Sequence, residues 1–135
     1  MEKTLAIIKP DAIKARNAGK IIDRIEQEGF TIVTMKKLRI SKAQADKFYA
    51  VHTGKGFFEE LTSFLASGPT IVMVLEKENA IKDWRDLMGA TDPAKAAPNT
   101  IRKLYGANIG SNATHGSDAP ETEAIEVAFF FPEPK

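Results

Sequence analysis

The sequence predicts a single α+β domain with a four-stranded antiparallel sheet and helices packed on it. Three observations lead to this fold class. The length of 135 residues suits one hydrophobic core and is too short for two. Short apolar runs rich in β-branched residues alternate with segments whose apolar side chains have helical spacing. No internal repeat, low-complexity tract or linker interrupts the chain, so we expect one domain over residues 1–135.

Four apolar runs predict the strands. Residues 4–8 form the first run, which ends at Lys9 and a following proline. Residues 30–40 form the second run, and the strongly β-branched residues 70–75 form the third. Residues 125–131 form the last run, which a proline closes. We therefore expect four strands, two of them in the first half of the chain.

Helices are predicted between these strands. Residues 10–29 carry an apolar stripe with helical spacing. Ser41 and Gln44 form a capping-box pattern that starts the next helix, and residues 57–66 continue the helical pattern after a glycine-rich interruption. Asn79 is expected to cap a further helix. The resulting order is βαββαβ, the ferredoxin-like arrangement, and we expect its helices on one face of the sheet.

Residues 88–117 do not fit this regular pattern. They are rich in glycine and proline and contain at most one helical turn, near residues 100–105. A loop of this length inside a compact domain is usually functional or disordered. The bulky residues Leu104, Tyr105 and Ile109 argue against disorder. We therefore expect a long active-site loop here.

The composition excludes several classes of function. With 19 Lys and Arg against 18 Asp and Glu, the net charge is only +1, which argues against a dedicated nucleic-acid surface. No apolar stretch approaches the roughly 20 residues that a membrane span needs. The absence of cysteine excludes disulfides, thiol nucleophiles and cysteine-built zinc sites, and a cytoplasmic location is the default expectation. Imidazole chemistry would have to use His52 or His115, the two histidines.

His115 is the stronger candidate for a reactive group. It lies shortly before a predicted helix in which Asp118 and Glu121 form a variant capping box, and a helix N-terminus favours anions. Neutral imidazole is a competent nucleophile near pH 7 if an acceptor fixes its tautomer. Glu126 is a candidate for that acceptor. A purely structural histidine and an ordinary exposed carboxylate remain the alternatives.

Phosphate-binding side chains lie in and near the same loop. Arg85, Thr91 and Arg102 offer planar guanidinium groups and a hydroxyl. The sequence has neither a Walker A motif nor a dinucleotide fingerprint, so a phosphate site here would depend on arginine and histidine. Lys9 could extend a cation past the sheet edge, and Phe57 could stack on a base or belong to the core.

Several short motifs occur in one order along the chain. The most specific is Asn112-x-x-His115-Gly116-Ser117-Asp118. Others are Lys9-Pro10-Asp11, Phe57-Phe58, Ser67-Gly68-Pro69, Gly89-x-Thr91-x-Pro93 and Thr100-Ile101-Arg102. In this order and spacing the sequence resembles the nucleoside diphosphate kinase family along essentially its whole length. The chain stops soon after Phe131, as in the short, bacterial type of member, and it departs from the common pattern at Gly56, Asn99 and Ser111.

The resemblance implies ping-pong transfer of the γ-phosphate from a nucleoside triphosphate, such as ATP or GTP, to a nucleoside diphosphate. His115 would carry the phosphoryl group as phosphohistidine. Arg85 and Thr91 would bind the β-phosphate, and Arg102 would bind near the γ-phosphate. These roles agree with the physics of phosphoryl transfer, in which positioning and charge stabilisation supply most of the catalysis.

The resemblance also implies the remaining site residues. Lys9 and Asn112 would hold sugar hydroxyls, with Lys9 also near the transferred phosphate beside Tyr49. Phe57 would stack on the base, and Leu61 and Ile109 would line the base site. Ser117 and Glu126 would orient His115, and Asp118 would lie near nucleotide-bound Mg²⁺. Broad tolerance of base and sugar and a homo-oligomer, either tetramer or hexamer, complete what the resemblance implies.

A binding module is the competing hypothesis, because many RNA-binding and regulatory domains share the βαββαβ order. Base-stacking RNA readers normally place aromatic residues within the strands of the sheet. Residues 4–8 and residues 70–75 contain none. The sequence therefore favours the enzyme.

Overall fold

A computed structural model describes residues 1–49, 56, 58–108, 111–116 and 120–131. The strands are β1 (Glu2–Ile8), β2 (Thr31–Arg39), β3 (Pro69–Lys77) and β4 (Thr114–Gly116). The helices are α1 (Pro10–Lys14), α2 (Ala18–Gln27), α3 (Lys42–Phe48), α4 (Phe58–Leu65), α5 (Ala80–Met88), α6 (Ile101–Tyr105) and α7 (Pro120–Phe130). A short 3₁₀ helix covers Pro93–Lys95. Within these ranges no helix is long and apolar enough to span a bilayer.

The four strands form one antiparallel sheet in the order β2-β3-β1-β4. This arrangement confirms the α+β, ferredoxin-like fold class. β1 lies inside the sheet, with Leu5 opposite Val74 of β3 and Ile7 opposite His115 of β4. This pairing places His115 beside the last residues of β1, the strand that Lys9 directly follows.

The expectation of helices on one face is wrong, because helices cover both faces of the sheet. Ala6 and Ile8 belong to a core that includes buried side chains of α2 and α5. Leu5 and Ile7 point to the opposite face and join a core with α3, α4 and α7. A strand buried on both faces carries a continuous apolar run instead of an alternating one, and residues 5–8 are such a run.

The predicted strand over residues 125–131 is also wrong. These residues belong mostly to α7, and the fourth strand is the shorter β4, which lies within the segment predicted to be a loop. Ile125 is 72% exposed while Phe130 is buried, as expected when only one side of a helix faces the core. A short apolar run does not by itself distinguish a strand from a buried helix.

The local helix signals are confirmed to different degrees. Ser41 and Gln44 form the predicted capping box at the start of α3. The first predicted helix is divided into α1 and α2, with Arg16 between them at φ +64°. Asn79 is the N-cap residue of α5, but its side chain makes no capping hydrogen bond. The carboxylate of Glu2 in β1 accepts the N–H of Ile81 instead, at 2.9 Å.

Candidate active site

His115 occupies the centre of β4, where α5 packs closely against the strand. The indole N–H of Trp84 donates to the carbonyl oxygen of His115 at 3.2 Å. A Cβ at Gly116 would lie only 2.4 Å from Cδ1 of Trp84. The glycine after the histidine is therefore needed for this close approach, which holds the backbone at His115 and Gly116.

The imidazole ring of His115 is oriented by a carboxylate and two aromatic rings. Its Nε2 lies 3.3 Å from Oε1 of Glu126 in α7, and both side chains are mostly buried. The rings of Phe48 and Tyr49 pack edge-on against it, with centroids at 5.4 and 6.0 Å. With the Nε2 proton donated to Glu126, neutral histidine presents its lone pair on Nδ1. Burial and the nearby Glu126 raise the pKa of the Tyr49 hydroxyl, which therefore stays protonated.

Lys9, the first residue after β1, is held by an amide of the long loop. Its Nζ donates to Oδ1 of Asn112 at 2.9 Å, and Nδ2 of Asn112 donates to the carbonyl of Thr91 at 3.0 Å. Burial, with a smaller contribution from the charge of Arg102, lowers the pKa of Lys9 to about 8. Lys9 is thus a buried cation whose single described side-chain hydrogen bond is to a neutral amide.

Arg102 of α6 joins the two ends of the long loop. Its two terminal nitrogens donate to the carbonyls of Gly89 at 3.1 Å and Thr114 at 2.8 Å. Burial, followed by the charge of Arg85, lowers the pKa of Arg102 to about 10. No described group bonds the buried Nε of Arg102. The guanidinium lacks a carboxylate partner in the described part of the chain, so an anionic ligand would lower the cost of its burial.

These groups line a cavity of about 880 Å³. All the predicted site residues that the structure describes, except Glu126, are part of its wall: Lys9, Tyr49, Leu61, Arg85, Thr91, Arg102, Asn112 and His115. Glu126 contacts the imidazole without lining the cavity. The cavity combines three basic side chains with a histidine whose Nδ1 is suited to nucleophilic attack, which is chemistry for a phosphorylated ligand.

Sequence reasoning missed part of the wall. Glu60 and Phe64 line the cavity beside Leu61, and Asn108 and Ser111 line it from the long loop. The helical spacing of Leu61 and Phe64 places them on one face of α4. That spacing could have indicated Phe64, whereas the loop residues carry no comparable signal.

Four predicted site residues lie outside the described part of the chain. They are Phe57, Ile109, Ser117 and Asp118. The second histidine, His52, also lies outside it. The predicted roles of these residues in base stacking, orientation of the histidine and magnesium binding remain predictions.

Comparison with known proteins adds independent information. A family model described as nucleoside diphosphate kinase matches residues 2–135. The nucleoside diphosphate kinase of Desulfotalea psychrophila is 63% identical over 131 residues, covering 97% of this chain and 96% of that protein. The enzyme of Sorangium cellulosum is 56% identical, covering 97% and 91%.

Solved structures agree with these sequence relatives. The nucleoside diphosphate kinase of Aquifex aeolicus superposes with a TM-score of 0.94 at 47% identity, covering 96% of this chain and 94% of that one. The halophilic enzyme of Halobacterium salinarum, solved in complex with CDP, gives a TM-score of 0.94 at 42% identity, covering 98% and 88%.

The fold, the basic cavity and these matches define one class: the chain belongs to the nucleoside diphosphate kinase family. It is accordingly a phosphotransferase that acts between nucleotides.

Proposed function

We propose that the chain acts in the cytoplasm, where it transfers the γ-phosphate of a nucleoside triphosphate to a nucleoside diphosphate by a ping-pong mechanism through phosphohistidine at His115. The observation that carries this proposal is the imidazole in the wall of a basic cavity, with Nε2 directed at Glu126. In the first half-reaction Nδ1 attacks the γ-phosphorus, and the bond from that phosphorus to the β–γ bridging oxygen breaks. The leaving nucleoside diphosphate takes that oxygen. A second diphosphate reverses the step and regenerates His115.

The basic side chains of the cavity would stabilise the charge that develops during transfer. Arg102, fixed by the carbonyls of Gly89 and Thr114, would hold the γ-phosphate, and Arg85 and Thr91 would hold the β-phosphate. Such preorganised donors act without reorganisation in the transition state. The imidazole becomes cationic as its Nδ1 forms the new bond, and the carboxylate of Glu126 would stabilise that charge.

The rest of the cavity would hold the nucleoside with few base-specific contacts. Lys9 and Asn112, already bonded to each other, would bind sugar hydroxyls. Leu61 and Phe64 offer an apolar wall for a base, to which Phe57 and Ile109 would add. The complex of the Halobacterium salinarum relative with CDP supports a nucleoside diphosphate as ligand. Apolar contact favours tolerance of different bases, because every base has a stacking face.

Magnesium would enter this site bound to the nucleotide. The described part of the chain contains no group of three or more His, Asp or Glu residues arranged to hold a metal ion. The cavity instead presents Lys9, Arg85 and Arg102, which suit phosphate oxygens. Mg²⁺ is commonly bound through substrate phosphates with one or two carboxylates, and Asp118 is the proposed nearby carboxylate. The ion would neutralise phosphate charge during transfer.

Labelling of the protein tests the mechanism. After incubation with γ-labelled ATP and Mg²⁺, the isolated chain should carry an acid-labile, base-stable phosphate that GDP removes. The label should disappear in His115→Gln and persist in the matched variant His52→Gln. An unlabelled wild-type chain, or a label that survives the change at His115, would refute the phosphohistidine mechanism.

We also propose that the chain forms a homo-oligomer, either a tetramer or a hexamer. β2 is an edge strand of the sheet and exposes apolar side chains, with Val33 at 38% and Met35 at 48% exposure. Edge strands with exposed apolar residues favour pairing with another chain. A second copy of this chain is the proposed partner.

A further inference from the structure

The strand that carries His115 begins with a strained turn. Ala113 has a φ of +74°, in the left-handed region that L side chains rarely adopt. The N–H of Thr114 donates to the carbonyl of Asn112 at 2.9 Å, so these three residues form a γ-turn with positive φ. Such turns are rare and strained. They persist where the surrounding contacts determine the conformation.

Two residues that follow β1, Lys9 and Asp11 of α1, hold both backbone groups of Ala113. The N–H of Ala113 donates to Oδ2 of Asp11 at 3.1 Å, and its carbonyl accepts the N–H of Lys9 at 2.8 Å. Ala113 itself is fully buried. The contact with Lys9 is made by its backbone, whereas the contact with Asp11 is made by its side chain. Asp11 does not line the cavity, so its effect on His115 would pass through Ala113.

We propose that Asp11 is a positioning residue for phosphoryl transfer: its carboxylate holds Ala113 in the strained turn and thereby fixes the direction in which β4 presents His115. The proposal rests on the proposed function of His115. The path is short, since His115 follows Ala113 by two residues and pairs with Ile7 on the strand that leads to Asp11. A small displacement of a reacting group has a large effect on rate, because the reacting atoms must be aligned.

An electrostatic role for Asp11 is the alternative to be distinguished. The charge of Asp11 raises the pKa of Lys9, opposing the effect of burial. Asparagine at position 11 retains an acceptor oxygen for the N–H of Ala113 but carries no charge. The positioning role therefore predicts that asparagine is tolerated, and the electrostatic role predicts that it is not.

Rapid-quench kinetics of His115 phosphorylation, with steady-state kcat and KM, tests the first part of this proposal. In Asp11→Ala the phosphorylation rate constant and kcat should fall about ten-fold, while the KM for ATP stays within about two-fold of wild type. Asp11→Asn should retain about half of the wild-type rate constant, since a neutral acceptor bonds more weakly than a carboxylate. Equal losses in the two variants would overturn the positioning role.

A rescue variant tests the turn itself. Glycine adopts positive φ without the steric penalty of a Cβ, so Asp11→Ala combined with Ala113→Gly should regain at least about three-fold in rate over Asp11→Ala alone. The matched control is Asp11→Ala with Ala80→Gly, which places glycine at another fully buried alanine, the first residue of α5. This control should regain nothing. Equal rates in the two double variants would refute the role of the turn.

The outcomes separate this proposal from the proposed function. A wild-type chain that takes no phosphate from ATP overturns both. A wild-type chain that is phosphorylated, with Asp11→Ala reacting at the same rate, overturns the positioning role alone. Loss of folding in Asp11→Ala leaves Asp11→Asn as the deciding variant, since a rate constant of one tenth of wild type or less in that folded protein refutes the proposal.

Discussion

Lys9 is a cation of the cavity whose ionisation is strongly affected by burial. Its pKa of about 8 lies well below the usual 10.5. Burial in low-dielectric surroundings disfavours the charged form of a lysine, and the contact with the Asn112 amide offers no compensating charge. A bound phosphate would supply that charge.

The pKa of Lys9 predicts how activity and stability depend on pH. We expect kcat/KM for the nucleotide to decline as the pH rises through about 8, because Lys9 loses its charge in the free enzyme. Lys9→Met should show a lower kcat/KM without this decline, and an unchanged decline in that variant would assign it to another group. The free energy of unfolding should rise with pH between about 8 and 10.5, because the unfolded chain then binds more protons than the folded chain. Urea titrations across that pH range measure it.

Arg102 is expected to act mainly in the transition state. Arg102→Ala should lower kcat by more than about ten-fold at saturating nucleotide, because a preorganised guanidinium near the transferred phosphate is lost. Initial rates over a range of ATP and GDP concentrations measure this. Arg24→Ala, which removes an ion pair between α2 and Glu28, the residue directly after that helix, is the control and should keep the wild-type kcat. A change in KM alone would show that Arg102 serves ground-state binding.

Among the elements, α5 shows how a neighbouring strand replaces a local cap. The side chain of Asn79 makes no capping bond, and Glu2 of β1 accepts the N–H of Ile81. A carboxylate near a helix N-terminus also interacts favourably with the helix dipole. Because α5 carries both Trp84 and Arg85, its fixed start connects β1 with the wall of the cavity.

The cap of α5 can be measured by mutation. Glu2→Ala should lower the free energy of unfolding by about 1 kcal/mol, the usual effect of losing a capping acceptor. Asn79→Ala is the matched control and should change it by less than about 0.5 kcal/mol, since its side chain makes no capping bond. Chemical denaturation of the two variants provides the comparison, and equal effects would contradict the role of Glu2.

α7 shows where prediction of elements from sequence fails. The apolar composition of residues 125–131 suits either a strand or a helix, and the sequence interpretation chose the strand. Contact with the core on one side decides for the helix, which buries Phe130 and exposes Ile125. The same element brings Glu126 to His115. The pairing of these two residues was predicted, but with residues 125–131 as a strand and not as part of a helix.

At the scale of the whole molecule, the exposed edge at β2 is the surface that bears on self-association. Met35→Lys should shift a tetramer or hexamer toward smaller species, because it replaces an exposed apolar side chain of the edge strand with a charge. Light scattering after size-exclusion chromatography measures the mass. Glu26→Lys on α2 changes charge at another exposed position and should leave the mass unchanged. A monomeric wild-type chain would refute the proposed oligomer.

The sequence by itself determined the fold class, the first three strands, the α3 capping box and half of the residues that line the cavity. These follow from local signals: apolar period, turn chemistry, and chemical groups in short motifs with fixed spacing. These local signals were sufficient to single out His115. The composition alone, with a net charge of +1 and two histidines, would not have done so.

Only the tertiary structure decided which strand completes the sheet, which faces the helices cover, and how the histidine is held. β4 is three residues long and forms because it pairs with β1. The γ-turn at Ala113 exists through bonds to Lys9 and Asp11, about a hundred positions earlier in the chain. Contacts between such distant residues leave no local period or propensity, because packing of the whole chain creates them.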